Sequence, residues 1–241
     1  LFSALGFTAF GQMYNPCWQR DTLHWVVLGS STAAGTGASS PDSAWVSRYR
    51  QYVQRLNGAN QVTNLAVGGF TTWRILDDDF QAPAGKPSPD TNRNITRALA
   101  LQPDAIIVNL PSNDAATGTG LPQQMENFHR LDSLARAAGV AFYLCTTQPR
   151  NGNSGFKAVQ LAVKDSILKA FGPRALDFWT GLADSTQGLR PGFDSGDGVH
   201  LNDAGHRLLF RRARAAQIPA ALTVPSAGFD LQAEAVLIPP G

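Results

Sequence analysis

The chain has 241 residues, of which 43% are hydrophobic and 16% charged, and a formal net charge of +2. That length and composition supply the core of one large domain and exclude a globally disordered chain. They also exclude a basic nucleic-acid-binding surface, since no run of Lys or Arg exceeds the pair Arg211 and Arg212.

The first ten residues are apolar, but they are too few for a membrane span and have no basic flank. Residues 1–22 read as an extension packed on the domain; the alternative is the remainder of a secretion signal. Residues 23–28 form a buried strand that Gly29 breaks. A helix is expected over 42–56, capped at Pro41-Asp42-Ser43, because Trp45, Val46, Tyr49, Val53 and Leu56 recur at helical spacing. A second strand over 61–66 runs into Gly68-Gly69. A proline-rich loop over 81–90 precedes a helix over 91–101. Residues 105–110 are apolar almost throughout, as in a central strand covered on both faces. A helix over 121–138 stops at Gly139, and a fourth strand covers 140–146. A helix over 154–171 ends at Gly172-Pro173. A short fifth strand covers 175–178, and a closing helix covers 203–216.

Strand followed by helix, repeated along the chain, predicts a three-layer α/β/α sandwich. The expected sheet is parallel and five-stranded, in the flavodoxin-like order 2-1-3-4-5, within a domain over residues 1–217. Residues 218–241 are rich in Pro and Ala and read as a strap over the domain or a linker. The apolar start, the low Lys content and this tail predict a secreted or periplasmic protein cut from a larger parent. Cys17 and Cys145 are too few for a disulfide framework or a cysteine-rich zinc site and read as two separate thiols.

Ligand sites in such sheets lie beyond the carboxyl ends of the strands. Four groups stand there. Gly29-Ser30-Ser31-Thr32-Ala33-Ala34-Gly35 follows the first strand. Ser31 in that small-residue turn is either a helix cap or a nucleophile with an exposed hydroxyl. Gly68 after the second strand is either an ordinary turn residue or a backbone donor. Asn113 after the third is either the head of an Asx turn or a side-chain amide donor. Asp197-Gly198-Val199-His200 precedes the last helix, and that spacing lets a carboxylate fix the tautomer of an imidazole base. His24, His129 and His206 read as structural histidines.

Taken together, these motifs resemble the GDSL or SGNH hydrolase family from about Val26 to Leu209. The family block Gly-Asp-Ser-x-x-x-Gly is matched at Gly29, Ser31 and Gly35, with Ser30 in place of Asp. Asn-x-Ala-x-x-Gly is only partly matched, at Asn64, Ala66 and Gly68, with Gly68 one residue early. Gly-x-Asn-Asp is matched at Asn113 and Asp114, with Pro111 in place of Gly, and Asp-x-x-His at Asp197 and His200. The resemblance implies a serine ester hydrolase. Ser31 is then the nucleophile, His200 its base and Asp197 the group that orients the base. The oxyanion hole is formed by the N–H groups of Ser31 and Gly68 and the Asn113 amide.

The active-site loops are small and polar, which favours a short acyl group such as acetyl on a polar or carbohydrate alcohol. A lysophospholipase- or thioesterase-like lipid hydrolase is the second expectation, and a catalytically weak carbohydrate-binding module is a third of another class. Trp73 and Arg74 read as lining for the substrate or as a helix start packed on the core, and Phe193 is a similar candidate. The sequence implies no metal and no cofactor, since it has no paired-ligand spacing of the zinc kind. The expected partner is a small-molecule or carbohydrate ester, with no nucleic acid and no membrane span. The oligomeric state is left open.

Overall fold

The computed structural model describes residues 22–110 and 112–218. The expectations for residues 1–21, Cys17, Pro111 and the strap from 219 onward lie outside the described residues.

Five strands form one sheet: β1 (His24–Gly29), β2 (Gln61–Asn64), β3 (Ala105–Asn109), β4 (Ala141–Cys145) and β5 (Ala175–Leu176). All pairings are parallel and the order is β2-β1-β3-β4-β5, as the sequence predicts. Seven α-helices accompany them among the described residues: α1 (Ser31–Ala34), α2 (Trp45–Leu56), α3 (Ile95–Ala100), α4 (Asn113–Ala116), α5 (Leu121–Ala137), α6 (Ser154–Phe171) and α7 (Asp203–Ala215).

The alternation of side chains along the central strands divides the core in two. Trp25, Val27, Ala105, Ile107, Tyr143 and Cys145 face α2 and α7, where Trp45, Tyr49, Val53, Leu209 and Ala213 meet them. Val26, Leu28, Ile106, Val108, Phe142 and Leu144 face the other way, against Ile95 of α3, Phe128 and Leu131 of α5, and Val163 and Ile167 of α6. β1, β3 and β4 are therefore largely apolar on both faces, which is why 105–108 reads as a continuous apolar run. Cys145 lies in this core, and burial pushes its thiol up, away from reactivity.

The chain leaves β1 to form β2 on one side and later returns to form β3 on the other. The crevice of an open parallel sheet opens at such a reversal, beyond the carboxyl ends of β1 and β3. Gly29 and Asn109 are paired there. A methyl on Gly29 would lie 2.5 Å from the Asn109 carbonyl oxygen and 2.8 Å from Ala33 Cβ, so the close turn into α1 requires glycine.

Several details differ from the sequence expectation: β2 ends at Asn64 and β5 at Leu176, each two residues early. Residues 41–43 form a 3₁₀ turn and α2 starts at Trp45. Leu56, placed on its apolar face by spacing, is 59% exposed at the helix end. The third helix starts at Ile95, because the Asn94 side chain caps it by accepting the Arg97 N–H at 3.0 Å, which leaves 91–94 as a turn.

Candidate active site

Ser31 is the first residue of α1, at the crevice. Its Oγ lies 2.9 Å from His200 Nε2. His200 Nδ1 lies 2.6 Å from Asp197 Oδ2. The other Asp197 oxygen accepts the backbone N–H groups of Val199 at 2.9 Å and His200 at 2.8 Å. A carboxylate can only accept, so Nδ1 carries the proton and donates it to Asp197. Nε2 is then left as the acceptor for the Ser31 hydroxyl. Partial burial raises the Asp197 pKa, but the His200 backbone N–H, the His200 ring and the Val199 N–H outweigh it and hold the carboxyl down at about 2. Asp197 is thus ionised across the neutral range while remaining half exposed, at 50% of its side chain.

The loop bearing this pair is tied down from several sides. Asp194 accepts the N–H groups of Gly196 at 2.8 Å and Gly198 at 3.0 Å. Asn151 donates its backbone N–H to the Gly198 carbonyl at 2.8 Å. Gly37, at φ +90°, lets the loop after Ser31 pass against this one: a methyl there would lie 2.3 Å from the Leu201 carbonyl oxygen and 3.0 Å from His200 Cβ. His206 accepts the Trp45 N–H at Nδ1 (3.3 Å) and reaches the Thr36 carbonyl with Nε2 (3.1 Å), so its neutral form joins α7 to the same loop. Burial lowers its pKa accordingly. His24 bonds Thr63 and His129 stacks on Phe171, both away from the site.

The three expected oxyanion donors are in different states. Gly68 is exposed beside Ser31, where a methyl added to it would lie 3.9 Å from Ser31 Cβ, and its N–H donates to no group among the described residues. The Ser31 N–H reaches Ser30 Oγ at 2.6 Å. The Asn113 amide nitrogen donates to the same Ser30 Oγ at 3.0 Å and to the Phe70 carbonyl at 2.9 Å. Two of the three donors therefore converge on a fully buried hydroxyl at the position where the GDSL pattern has Asp. Below Asn113, the Asp114 carboxylate accepts the Thr72 N–H at 2.9 Å and the Thr72 hydroxyl at 2.6 Å, anchoring α4.

Hollows flank α4 on both sides. One of about 520 Å³ lies between Ala115 and Ala116 and the loop Arg150–Asn153, with Phe156 across it. Another of about 290 Å³ starts at Gly69 and includes Thr71, Trp73, Arg74, Lys86 and Thr117. Trp73 packs in the core, with its side chain 1% exposed, and also borders the smaller hollow. Arg74 stands in the same wall. Phe193 packs half-buried against the α2/α7 core and lines neither hollow. Gly37 and Asn151 carry no role in the sequence expectation, and Ser30 enters it only as a departure from the family pattern. A second glycine two residues after Gly35 was a usable signal for the first; nothing local marks Asn151. Among the described residues no cluster of His, Cys, Asp and Glu is arranged to hold a metal, and no helix is long and apolar enough to cross a membrane.

A hydroxyl, an imidazole and a carboxylate linked in series at the carboxyl edge of such a sheet are the groups that nucleophilic acyl transfer requires. The family model described as GDSL-like Lipase/Acylhydrolase family covers residues 27–208, and the chain belongs to that family. Among solved structures it is similar to a putative lipolytic protein of the G-D-S-L family from Desulfitobacterium hafniense, at 19% identity over 80% of this chain and 99% of that one, with a TM-score of 0.60. It is similar to the psychrotrophic esterase EstA from Pseudoalteromonas sp., at 17% identity over 83% and 99%, with a TM-score of 0.59. A carbohydrate acetylesterase family member from Sinorhizobium meliloti aligns at 18% identity over 83% and 99%, with a TM-score of 0.52. No curated protein has a matching sequence.

Proposed function

We propose that the chain is a serine ester hydrolase in which Ser31 attacks the acyl carbon, His200 takes the hydroxyl proton, and Asp197 holds His200 in the required tautomer. The observation that carries this reading is the continuous series from Ser31 Oγ through both His200 nitrogens to Asp197, at 2.9 and 2.6 Å. In the first half-reaction the Ser31 oxygen bonds to the carbonyl carbon and the proton on Nε2 passes to the departing alcohol. In the second, water gives a proton to Nε2 as its oxygen bonds to the acyl carbon; the acyl–Ser31 bond then breaks, Nε2 returns that proton to the Ser31 oxygen, and the acid leaves.

The oxyanion draws on the Gly68 N–H, which is free in the resting site. It also shares the hydrogens of the Ser31 N–H and the Asn113 amide with Ser30 Oγ. Such donors stabilise charge that develops only in the transition state, and one of them is typically worth about 10²–10³ in turnover.

The hollows favour a short acyl group on a polar alcohol. Their walls mix Asn, Thr, Arg and Lys with small residues and a few larger apolar ones, Phe156 and Val159 in one and Trp73 in the other, which interrupts any continuous apolar channel of the kind a long acyl chain needs. That a carbohydrate acetylesterase family member has the same fold is consistent with this choice. Hydrolysis of p-nitrophenyl acetate tests the mechanism. Ser31→Ala should abolish turnover and the burst of nitrophenol, with the folded fraction unchanged. A Ser31→Ala protein that keeps ordinary turnover would refute the assignment. Comparing acetate with octanoate then tests the acyl preference, and faster octanoate hydrolysis would favour the lipid reading.

A further inference from the structure

The hollow of about 290 Å³ beside Gly69 has a distinctive charge pattern: Arg74 and Lys86 stand in its wall and no carboxylate does. Neither cation has a carboxylate partner within ion-pair distance among the described residues. Both are held in place by neutral groups. The Arg74 guanidinium lies 6.0 Å from the centre of the Phe70 ring and donates to the Ser88 carbonyl at 3.3 Å. The Lys86 ammonium lies 5.9 Å from the Trp73 ring and 3.2 Å from Thr119 Oγ1. Asp114, on whose carboxyl Lys86 exerts a small downward pull, is sealed beneath Thr72 and 3% exposed.

A third feature points the same way. Thr71 is 5% exposed, stands in this wall, and has a hydroxyl with no partner among the described residues. Orphaned buried hydroxyls are uncommon and are usually completed by water or ligand. By contrast, the hollow on the far side of the His200 loop contains Asp194 and Asp203 together with Arg207. The hollow beside Gly69 thus pairs two cations with no carboxylate, whereas that one is mixed in charge.

Position links this hollow to the chemistry. Gly69 lines the hollow and follows Gly68, which adjoins Ser31, so the hollow begins one residue from the expected position of the carbonyl oxygen. Its volume is near the lower bound of about 300 Å³ for ligand pockets, which suits one small group or one ring. Arg matches a carboxylate or phosphate with two parallel hydrogen bonds, and Lys adds a point charge. We propose that this hollow is an anion subsite, and that the preferred ester carries an oxyanion group on its alcohol, as a sugar acid or a sugar phosphate does. This rests on the ester-hydrolase reading of Ser31.

The test uses three peracetylated methyl glycosides: the glucuronate, its uncharged carboxamide, and the glucose 6-phosphate. At low salt, at least one anionic ester should exceed the carboxamide in kcat/KM by about tenfold or more, chiefly through KM. The excess should shrink as ionic strength rises to about 0.5 M. Arg74→Gln and Lys86→Gln should each bring the ratio towards one, and Arg74→Glu should invert it. Which anion leads identifies the source. Equal wild-type rates, or a preference that survives both neutral substitutions, would overturn the proposal. A second readout does not depend on turnover: Ser31→Ala protein titrated with glucuronate and with glucose 6-phosphate should bind at least one saturably, and Arg74→Gln in that background should abolish it. Binding without hydrolysis would leave the anion subsite standing and sink the ester reading; hydrolysis of the carboxamide with no anion binding would do the reverse.

Discussion

Asp197→Asn separates the two tasks of one carboxylate. One oxygen holds the loop by accepting the N–H groups of Val199 and His200; the other fixes the His200 ring through Nδ1. An amide has one acceptor end and one donor end, so Asn can serve only one task. With its oxygen on the backbone it presents N–H to Nδ1, forces the proton to Nε2, and leaves the Ser31 hydroxyl without a base. With its oxygen on Nδ1 it keeps the productive tautomer but gives up two backbone hydrogen bonds. At about 1 kcal/mol each, plus the lost attraction for the imidazolium, the second arrangement costs roughly 2–3 kcal/mol, or about 10² in rate. It is open to this protein because Asp197 is half exposed, so water can take up the freed N–H groups. We therefore expect Asp197→Asn to lower kcat on p-nitrophenyl acetate about 10²-fold. A buried triad carboxylate, with no such escape, loses about 10⁴. Wild-type turnover would show that another group orients His200. A loss as complete as that of Ser31→Ala, in a protein with unchanged melting temperature, would show that the flipped amide is not reached.

Gly37→Ala should lower stability by roughly 2–4 kcal/mol, read from urea unfolding. It should also reduce kcat, because a methyl at φ +90° meets the Leu201 carbonyl and pushes His200 from Ser31; unchanged kinetics would mean the two loops are not in register. Ser30→Ala should lower kcat about tenfold with little change in KM, since the Asn113 amide loses one of its two acceptors and its aim. If Ser30→Ala lowers kcat by the same factor in wild type and in an Asn113→Ala background, Ser30 does not act through Asn113. Burial raises the Asp114 pKa to about 6, above its unfolded value. The folded state therefore holds the proton longer, and the Asp114 contribution to stability falls as pH rises from about 4 to about 6, by about 3 kcal/mol. Wild type and Asp114→Asn compared by denaturant titration at pH 4 and pH 7 should differ in slope by that amount and sign; parallel profiles would refute it.

What the sequence made legible depended on range. Helix α6 carries its own punctuation, with the Asn153 side chain capping its first turn and Gly172 and Pro173 closing it, so its bounds can be read directly. Strand β3 is legible because both faces are buried. Asp197 and His200 share one short loop, so their pairing follows from spacing. Ser31 could not be told from a cap by local sequence, and it does begin a helix; the sheet edge brings it to His200, 169 residues on. Helices α1 and α4 escaped notice because four residues show no periodicity. Gly37, Asn151 and Ser30 act through contacts that exist only after folding. Trp73 was legible as two alternatives because it has two surroundings, core on one side and hollow on the other.

The substitution at position 30 bears on how the donors are kept ready. An ionised carboxylate there would be fully buried, a few ångströms from where the carbonyl oxygen gains negative charge, and would oppose that charge unless its own hydrogen bonds screened it. A hydroxyl accepts the Ser31 N–H and the Asn113 amide without carrying charge, so it sets their direction at a smaller electrostatic penalty. It also binds them less tightly, which suits hydrogens that the oxyanion must share in the transition state. The exchange gives up the rigidity of two charge-assisted bonds, and the second amide hydrogen on the Phe70 carbonyl restores part of it. Ser30→Asp discriminates between these effects: if charge dominates, kcat falls while the melting temperature rises; if aim dominates, both rise together.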